Sequence, residues 1–156
     1  MEAVIDYRDV QINRDALIAL KHASLSVAPG EFVYLIGKVG SGKSSLLKSI
    51  YADIPVFSGN ARVLDYDLTA IKRSQIPYLR RKIGIVFQDF RLLSDRSVRD
   101  NLLFVLRATG WKDKAAIDER IDEVLSSVGM LNKHYKRPHE LSGGEQQRLV
   151  IARALL

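Results

Sequence analysis

The run FVYLIGKVGSGKSSLLKSI, Phe32 to Ile50, joins an apolar stretch to a glycine-rich turn and then to a helix-forming segment. Phe32–Gly37 has the length of a strand and shows no alternation, the pattern of a strand buried on both faces. Gly37–Ser44 then reads G-x-x-x-x-G-K-S. A chain of phosphates wants several N–H donors pointing inward, which calls for backbone conformations that glycine reaches cheaply. The helix that follows adds roughly half a positive charge at its start. Lys43 can reach β- and γ-phosphates as a point charge, and the Ser44 hydroxyl can ligate Mg²⁺. Strand, loop and helix in this order imply a nucleoside triphosphate site.

The flanking sequence sets the fold class. AVIDYRDVQI (Ala3–Ile12) and LIALKHASLSV (Leu17–Val27) read as strands, with a turn at Pro29–Glu31. SGNARVL (Ser58–Leu64) suggests a turn and a short strand, and IGIVFQ (Ile83–Gln88) a second buried strand. Helices are predicted from Lys43, over 98–108 and 115–128, and from Gly143 onward. Ile117, Ile121, Val124, Leu125 and Val128 share one helical face. The expectation is an α/β P-loop core with an antiparallel β flank and a helical part.

Composition excludes several function classes. With 156 residues and 47% hydrophobic content, one domain with a sizeable core is expected. No cysteine is present, which rules out disulfides and thiolate metal sites, and the 3 histidines lack ligand spacing. The start MEAVIDYRDV is acidic and alternating rather than leader-like, and no apolar run has membrane-spanning length. A soluble, cytoplasmic chain is expected. The net charge of +6 fits nucleic acid, a membrane surface, an anionic ligand or an ordinary solvated surface. The densest basic stretch, Lys72–Lys82, interleaves Ile76, Tyr78 and Leu79 and reads as the outer face of a short helix.

Two further stretches carry chemistry. Gln88 closes the second apolar run, where ligands lie in α/β sheets, and is a candidate Mg²⁺ or water ligand. LSGGEQQR (Leu141–Arg148) fits a capping box, with Ser142 as N-cap and Glu145 three residues on. The box does not need Gly143 and Gly144, each of which costs a helix about 1 kcal/mol relative to alanine. Bare glycines let a ligand approach the backbone, so this helix start reads as a cap or as a second anion site.

LSGGEQQR resembles the signature of ABC-type ATPases, and with GKVGSGKS and VFQDF in order the resemblance covers essentially the whole chain. It implies ATP and Mg²⁺ as cofactors and a head-to-tail homodimer around two ATPs. ATP would be held by Gly37, Lys38, Val39, Gly40, Ser41, Gly42, Lys43, Ser44 and Ser45 of one subunit. Ser142, Gly143, Gly144, Glu145 and Gln146 of the other subunit would face the same ATP. Lys43 and Gln88 would serve catalysis, Ser44 and Gln88 the Mg²⁺, and residues from about 89 to 142 would form a helical subdomain within a single domain, 1–156. YLIGKVGSGKSSLLKSIYAD, LRRKIGIVFQDFRLL and LLFVLRATGW are similar to the cell-division branch, FtsE, most of all to its Bacteroidetes-type members. That likeness implies an integral membrane partner of the FtsX kind, docked on residues from about Asp89 to Trp111, with the chain peripheral on the inner face of the plasma membrane. The lipoprotein-release and macrolide-export ATPases are close alternatives. A non-hydrolysing ATP-gated module and a DNA-repair-type ATPase are more distant ones, the latter disfavoured by the lack of heptads and cysteines; no nucleic-acid partner is expected.

The sequence also departs from that family. The family's Asp-Glu strand (Walker B) and its switch histidine would come after Leu156, so a fragment of a longer chain is expected. Such a fragment would bind ATP and hydrolyse it very slowly, in a marginal fold whose Phe32–Gly37 run lacks a neighbour. AAIDE (Ala115–Glu119) has helical periodicity, VLDYD (Val63–Asp67) lacks the glutamate, and His139 precedes the signature. Asn13 stands where the family usually stacks an aromatic ring on adenine, with Tyr7, the nearest aromatic, on a strand. Such stacking is worth roughly 1–3 kcal/mol per base, so adenine selectivity is in question. Val39 replaces a small polar residue, with little effect expected because its backbone still donates.

Overall fold

The computed structural model describes residues 2–14 and 17–156. The chain divides into two compact units, the first ending at Arg80 and the second running from Arg81 to Leu156.

The first unit is built on an antiparallel sheet of order β2-β1-β3-β4, with β1 Ile5–Arg14, β2 Leu17–Val27, β3 Val56–Val63 and β4 Tyr66–Asp67. β1 is central and pairs with β2 through Ile5↔Val27 and Asn13↔Ile18, and with β3 through Ile5↔Val63 and Ile12↔Val56. Both ladders slip register near Asp9, which has a φ of 52°. Alternation on β1, shifted by one residue at this irregularity, places Tyr7, Val10 and Ile12 in the core beside Ala61 and Val63. Helix α1, Lys43–Ile50, contributes Leu46 and two buried serines. The buried Tyr7 hydroxyl and Ser49 Oγ lie 3.0 Å apart, and Ser49 Oγ donates to Leu46 O at 2.7 Å. Tyr7 is therefore the donor, and this bond ties α1 to the central strand. Burial pushes the Tyr7 phenol up to about 12. Helix α2, Ile76–Arg81, buries Leu79. Its Arg80 donates to the carbonyls of Tyr51 (2.9 Å) and Ala52 (3.1 Å), which follow α1.

The second unit is helical: α3 Val98–Ala108, α4 Lys114–Ser127 and α5 Gly143–Ala154, with 3₁₀ turns at Leu131–Lys133 and Pro138–Glu140. Each long helix begins at a side-chain cap: Ser97 accepts from the Asp100 N–H at 3.1 Å, and Asp113 from the Ala116 N–H at 2.7 Å. Val98, Leu102 and Leu106 of α3 meet Ile117, Ile121, Val124 and Leu125 of α4 and Leu149 and Ala152 of α5 in one buried cluster. Fully burying side chains of this size contributes about 1.5–3 kcal/mol each. The helical face read from Ile117 to Leu125 is the one that packs. Buried Asn101 holds the loop before α3, accepting from Leu93 N–H (2.8 Å) and donating to the carbonyls of Leu93, Arg96 and Ser97.

Three expectations are corrected. Phe32–Gly37 is neither a strand nor buried: Phe32, Tyr34 and Ile36 are about four-fifths exposed or more (80%, 79% and 89%). Ile83–Gln88 is likewise outside any strand, and Gln88 is exposed. A strand exists only beside a neighbour that accepts its ladder of hydrogen bonds, and among the described residues neither run pairs with one. Phe32 and Tyr34 instead meet edge to face, with ring centroids 4.9 Å apart. β3 begins before the glycine expected to make a turn and runs through Gly59. Among the described residues, no helix is long and apolar enough to cross a membrane.

Candidate phosphate-binding site

The loop from Gly37 to Gly42 runs into α1, and its conformation follows from its glycines. Gly42 is the N-cap of α1 in a left-handed conformation (φ 87°) and offers no side chain to the first-turn N–H groups. A Cβ there would sit 2.5 Å from the carbonyl oxygen of Ala19 and 2.9 Å from a methyl of Leu20, so this position is closed to any other residue. The packing presses the start of α1 against β2, and no side chain caps its first turn, an arrangement suited to an anion. Ser41 N–H donates to Lys38 O at 3.2 Å and closes the turn.

Lys43 lies over this loop. Its ammonium donates to Gly37 O and Lys38 O, both at 2.7 Å, and approaches Ser41 Oγ at 3.4 Å. Ser44 is exposed on the first turn of α1 and free to face a cation, whereas Ser45 is buried (8% exposed) and belongs to the packing of the helix. A cavity of about 670 Å³ is lined by Val39 to Ser45 together with Arg14, Leu17, Ile18 and Ala19. Glycine turn, bare helix start, lysine and serine fit a phosphate chain with its divalent cation. Asn13 is outside this cavity. It accepts from Gln11 Nε2 at 2.9 Å and lines a different hollow with Lys48, Asp53 and Phe57.

In the second unit, Ser142 caps α5. Its Oγ accepts from the Glu145 N–H at 3.3 Å, and the Glu145 carboxylate accepts from the Ser142 N–H at 2.9 Å. The capping box read from sequence therefore forms. Glu145 also pairs with the Lys133 ammonium. That bond, with the one from the Ser142 backbone, holds the carboxyl down to about 2. Gly143 and Gly144 are exposed, and a Cβ on either would meet nothing within 4 Å. Among the described residues, no packing contact requires glycine at these two positions. Gln146 donates to Leu141 O at 3.3 Å.

Gln88 begins an unusual turn. Phe90 (φ 58°) and Arg91 (φ 49°) are both left-handed, which costs a non-glycine residue on the order of 1 kcal/mol or more. Arg153 of α5 secures them, donating to Phe90 O at 2.7 Å and to Arg91 O at 2.6 Å. Sequence reading missed Arg153, because a guanidinium reaching 62 residues back leaves no local pattern. At Gly84 the backbone comes so close to α5 that a Cβ would lie 2.5 Å from Ala154 O. The turn after Gln88 and the far end of the signature helix are thus one packed piece. His139 is exposed, as expected of a surface polar residue.

Comparison with known proteins places this geometry. The model of the ABC transporter family matches residues 20–156, and the chain belongs to that family. It is 41% identical over 155 residues to the cell division ATP-binding protein FtsE of Streptococcus pneumoniae serotype 2, covering 99% of this chain and 67% of that protein. FtsE of Bacillus subtilis is 44% identical over 138 residues, 88% of this chain and 60% of its own length. The methionine import ATP-binding protein MetN 1 of Acinetobacter baylyi is 41% identical over 138 residues, but only 38% of it is covered. The chain thus spans about two thirds of the FtsE proteins it matches. Among solved structures, the dimeric bacterial ABC transporter cassette MJ0796 superposes with a TM-score of 0.85 at 30% identity, covering 97% of this chain and 68% of that one. cbiO1 of Clostridium perfringens gives 0.85 at 29% identity, with 99% and 62% covered. The fold is that of an ABC ATPase cassette, as the order of motifs implied. ATP binding and hydrolysis are the activity of this family.

Proposed function

We propose that this chain is the ATP-binding part of an FtsE-like subunit, which couples ATP binding and hydrolysis to an FtsX-like integral membrane partner in cell division. The observation that carries the reading is the loop at Gly37–Ser44: a left-handed glycine cap, an uncapped helix start and a lysine poised over the loop carbonyls. Backbone N–H groups from Gly37 to Ser45 would hold the phosphates, with Lys43 spreading their charge and the Ser44 hydroxyl meeting the Mg²⁺. Gln88 would complete the cation and water contacts. Magnesium supplies charge neutralisation on the phosphate oxygens when bound. Hydrolysis, membrane association and the homodimer belong in this reading to the whole protein.

The signature would face the ATP of a second subunit through Ser142–Gln146. The open space around Gly143 and Gly144 supports this, as does the dimeric state of the MJ0796 cassette. Residues 89–142 would form the helical subdomain, and residues 89–111 its docking surface for the membrane subunit. There Phe104 (48% exposed) and Trp111 (39%) present apolar area, and Phe104 borders a hollow of about 420 Å³ with Asp95, Arg96 and Arg107. The FtsE branch is favoured over MetN-like import because the likeness extends over two thirds of the FtsE proteins.

Titration with MgATP tests the cradle. Lys43→Ala is expected to weaken binding at least about a hundredfold, the scale of a charge-assisted phosphate contact; retained affinity would refute the assignment. Ser142→Arg in the whole protein should leave the affinity of the monomer unchanged and abolish ATP-dependent dimerisation, read by sedimentation. Normal dimerisation would reduce the signature to a helix cap.

A further inference from the structure

Resting on the reading of the signature above, we infer that Lys133 is a positioning residue for the ATP of a second subunit: by pairing with Glu145 it cancels the negative charge in the first turn of α5 and leaves that helix start receptive to a polyphosphate. The hydrogen bonds of this helix start can be followed one by one. Ser142 Oγ takes the Glu145 N–H at 3.3 Å, and Ser142 O takes the Gln146 N–H at 2.9 Å. Among the described residues, the N–H groups of Gly143 and Gly144 have no partner, and neither residue has a side chain to cover them. These two donors sit at the positive end of the helix dipole.

Glu145 creates a conflict at this place. A capping box accepts glutamate or glutamine. Glutamate adds a full negative charge, which favours the helix but competes with any incoming anion for the same positive end. Uncompensated, it would repel a phosphate chain across a few ångströms. Lys133 removes the conflict. Both carboxylate oxygens are engaged, Oε2 by the Ser142 N–H at 2.9 Å and Oε1 by the Lys133 ammonium. The two side chains are only 29% and 15% exposed, unlike the open surface pairs that contribute little. The backbone of Lys133 is also fixed. Its N–H donates to the carbonyl of fully buried Met130 at 2.9 Å, and its carbonyl accepts from the Lys136 N–H at 3.0 Å. Next along the chain, His134 O and Lys136 O accept from the Arg99 (3.0 Å) and Val98 (2.7 Å) N–H groups, which ties the same turn to the start of α3. The ammonium is therefore delivered from a turn held on both sides, so little freedom remains to be lost in forming the pair.

Sedimentation of the whole protein with magnesium and a saturating non-hydrolysable ATP analogue tests this, because the phosphate loop is then equally filled in every chain. Lys133→Met is expected to weaken analogue-dependent dimerisation about a hundredfold, about tenfold at each of two symmetric sites. Lys133→Arg should stay within about threefold of the parent, since it keeps the charge. The decisive chain is Lys133→Met/Glu145→Gln, which keeps the capping box and carries neither charge. It should recover dimerisation to within about fivefold of the parent. The gap between Lys133→Met and the parent should also narrow with salt, as the screening length falls from about 10 Å at 0.1 M to about 3 Å at 1 M. A loss that persists in the double variant and at high salt would assign Lys133 to packing and overturn the inference, as would a Lys133→Met chain that dimerises like the parent. Glu145→Gln alone decides even where Lys133→Met fails to fold: it should dimerise at least as tightly as the parent, and a loss of more than about tenfold would refute the charge argument. Failure of the underlying reading looks different. A parent that does not bind the analogue removes the phosphate site, and a parent that binds it but stays monomeric removes the signature contact; either takes the role of Lys133 with it.

Discussion

Glu145 shows how one side chain can serve a helix start. It closes the capping box with Ser142 and takes the Lys133 ammonium, and together these hold its carboxyl down to about 2 against an ordinary 4.5. A carboxyl depressed on folding adds stability that is fully present above its unfolded value and is lost as pH falls through the folded one. The window for this group is therefore from about pH 4.5 down to about pH 2, with α5 losing its cap at the acid end. Lys133→Met is expected to move the Glu145 carboxyl up toward the ordinary range without reaching it, because the Ser142 N–H remains. Carboxyl-carbon NMR titration measures this, and an unmoved value would mean that the pair contributes nothing in solution. The residues around this cap were legible in sequence because everything that fixes them lies within a few positions: serine, two glycines and a glutamate. Lys133 was not, since its partner lies 12 residues away across a turn.

At the scale of elements, α5 does more than bury Leu149 and Ala152. Through Arg153 it holds the two left-handed residues that follow Gln88. Burial pushes the guanidinium's pKa down, yet arginine stays charged, and its two charge-assisted bonds offset the strain of the turn. Arg153→Met keeps the apolar stem and removes both donors. It should cost about 2 kcal/mol locally, and amide exchange should speed up for residues 89–93 while the middle of α5 stays protected. Equal protection in both chains would show that the turn holds itself. The elements also show which parts of a fold a sequence exposes. α3 was predicted with its observed bounds and α4 within a residue at each end, because capping residues and a 3.6-residue period are local signals. Phe32–Gly37 and Ile83–Gln88 carry the composition of buried strands, but pairing is a long-range property, and neither run pairs among the described residues. The composition was read correctly and the state was not.

For the molecule as a whole, that mismatch sets its colloidal behaviour. Phe32, Val33, Tyr34, Leu35 and Ile36 form an uninterrupted exposed apolar run, with Phe57 and Val86 among other exposed large side chains. A run of this kind, rich in β-branched and aromatic residues and free of charge, is a template for strand pairing between chains. The 156-residue chain is expected to self-associate at micromolar concentration and to bind a hydrophobic dye. Val33→Lys/Leu35→Lys should suppress both while leaving the capped helices of the second unit intact. A monodisperse, dye-silent parent chain would refute this. The start of α1 at Lys43 was legible, since the Gly-Lys-Ser run that opens it is local, whereas the bond between Lys43 and the carbonyls of its own loop was not. That bond has a consequence for the solution around the protein. The lysine acts as a competitor carried by the chain: any anion entering the loop must first draw the ammonium away from two carbonyl oxygens. Chloride or a lone phosphate offers few contacts in exchange, while a polyphosphate offers many at once. The loop thereby sets a threshold that background ions fail to cross, and it does so through nothing more than what it binds within itself.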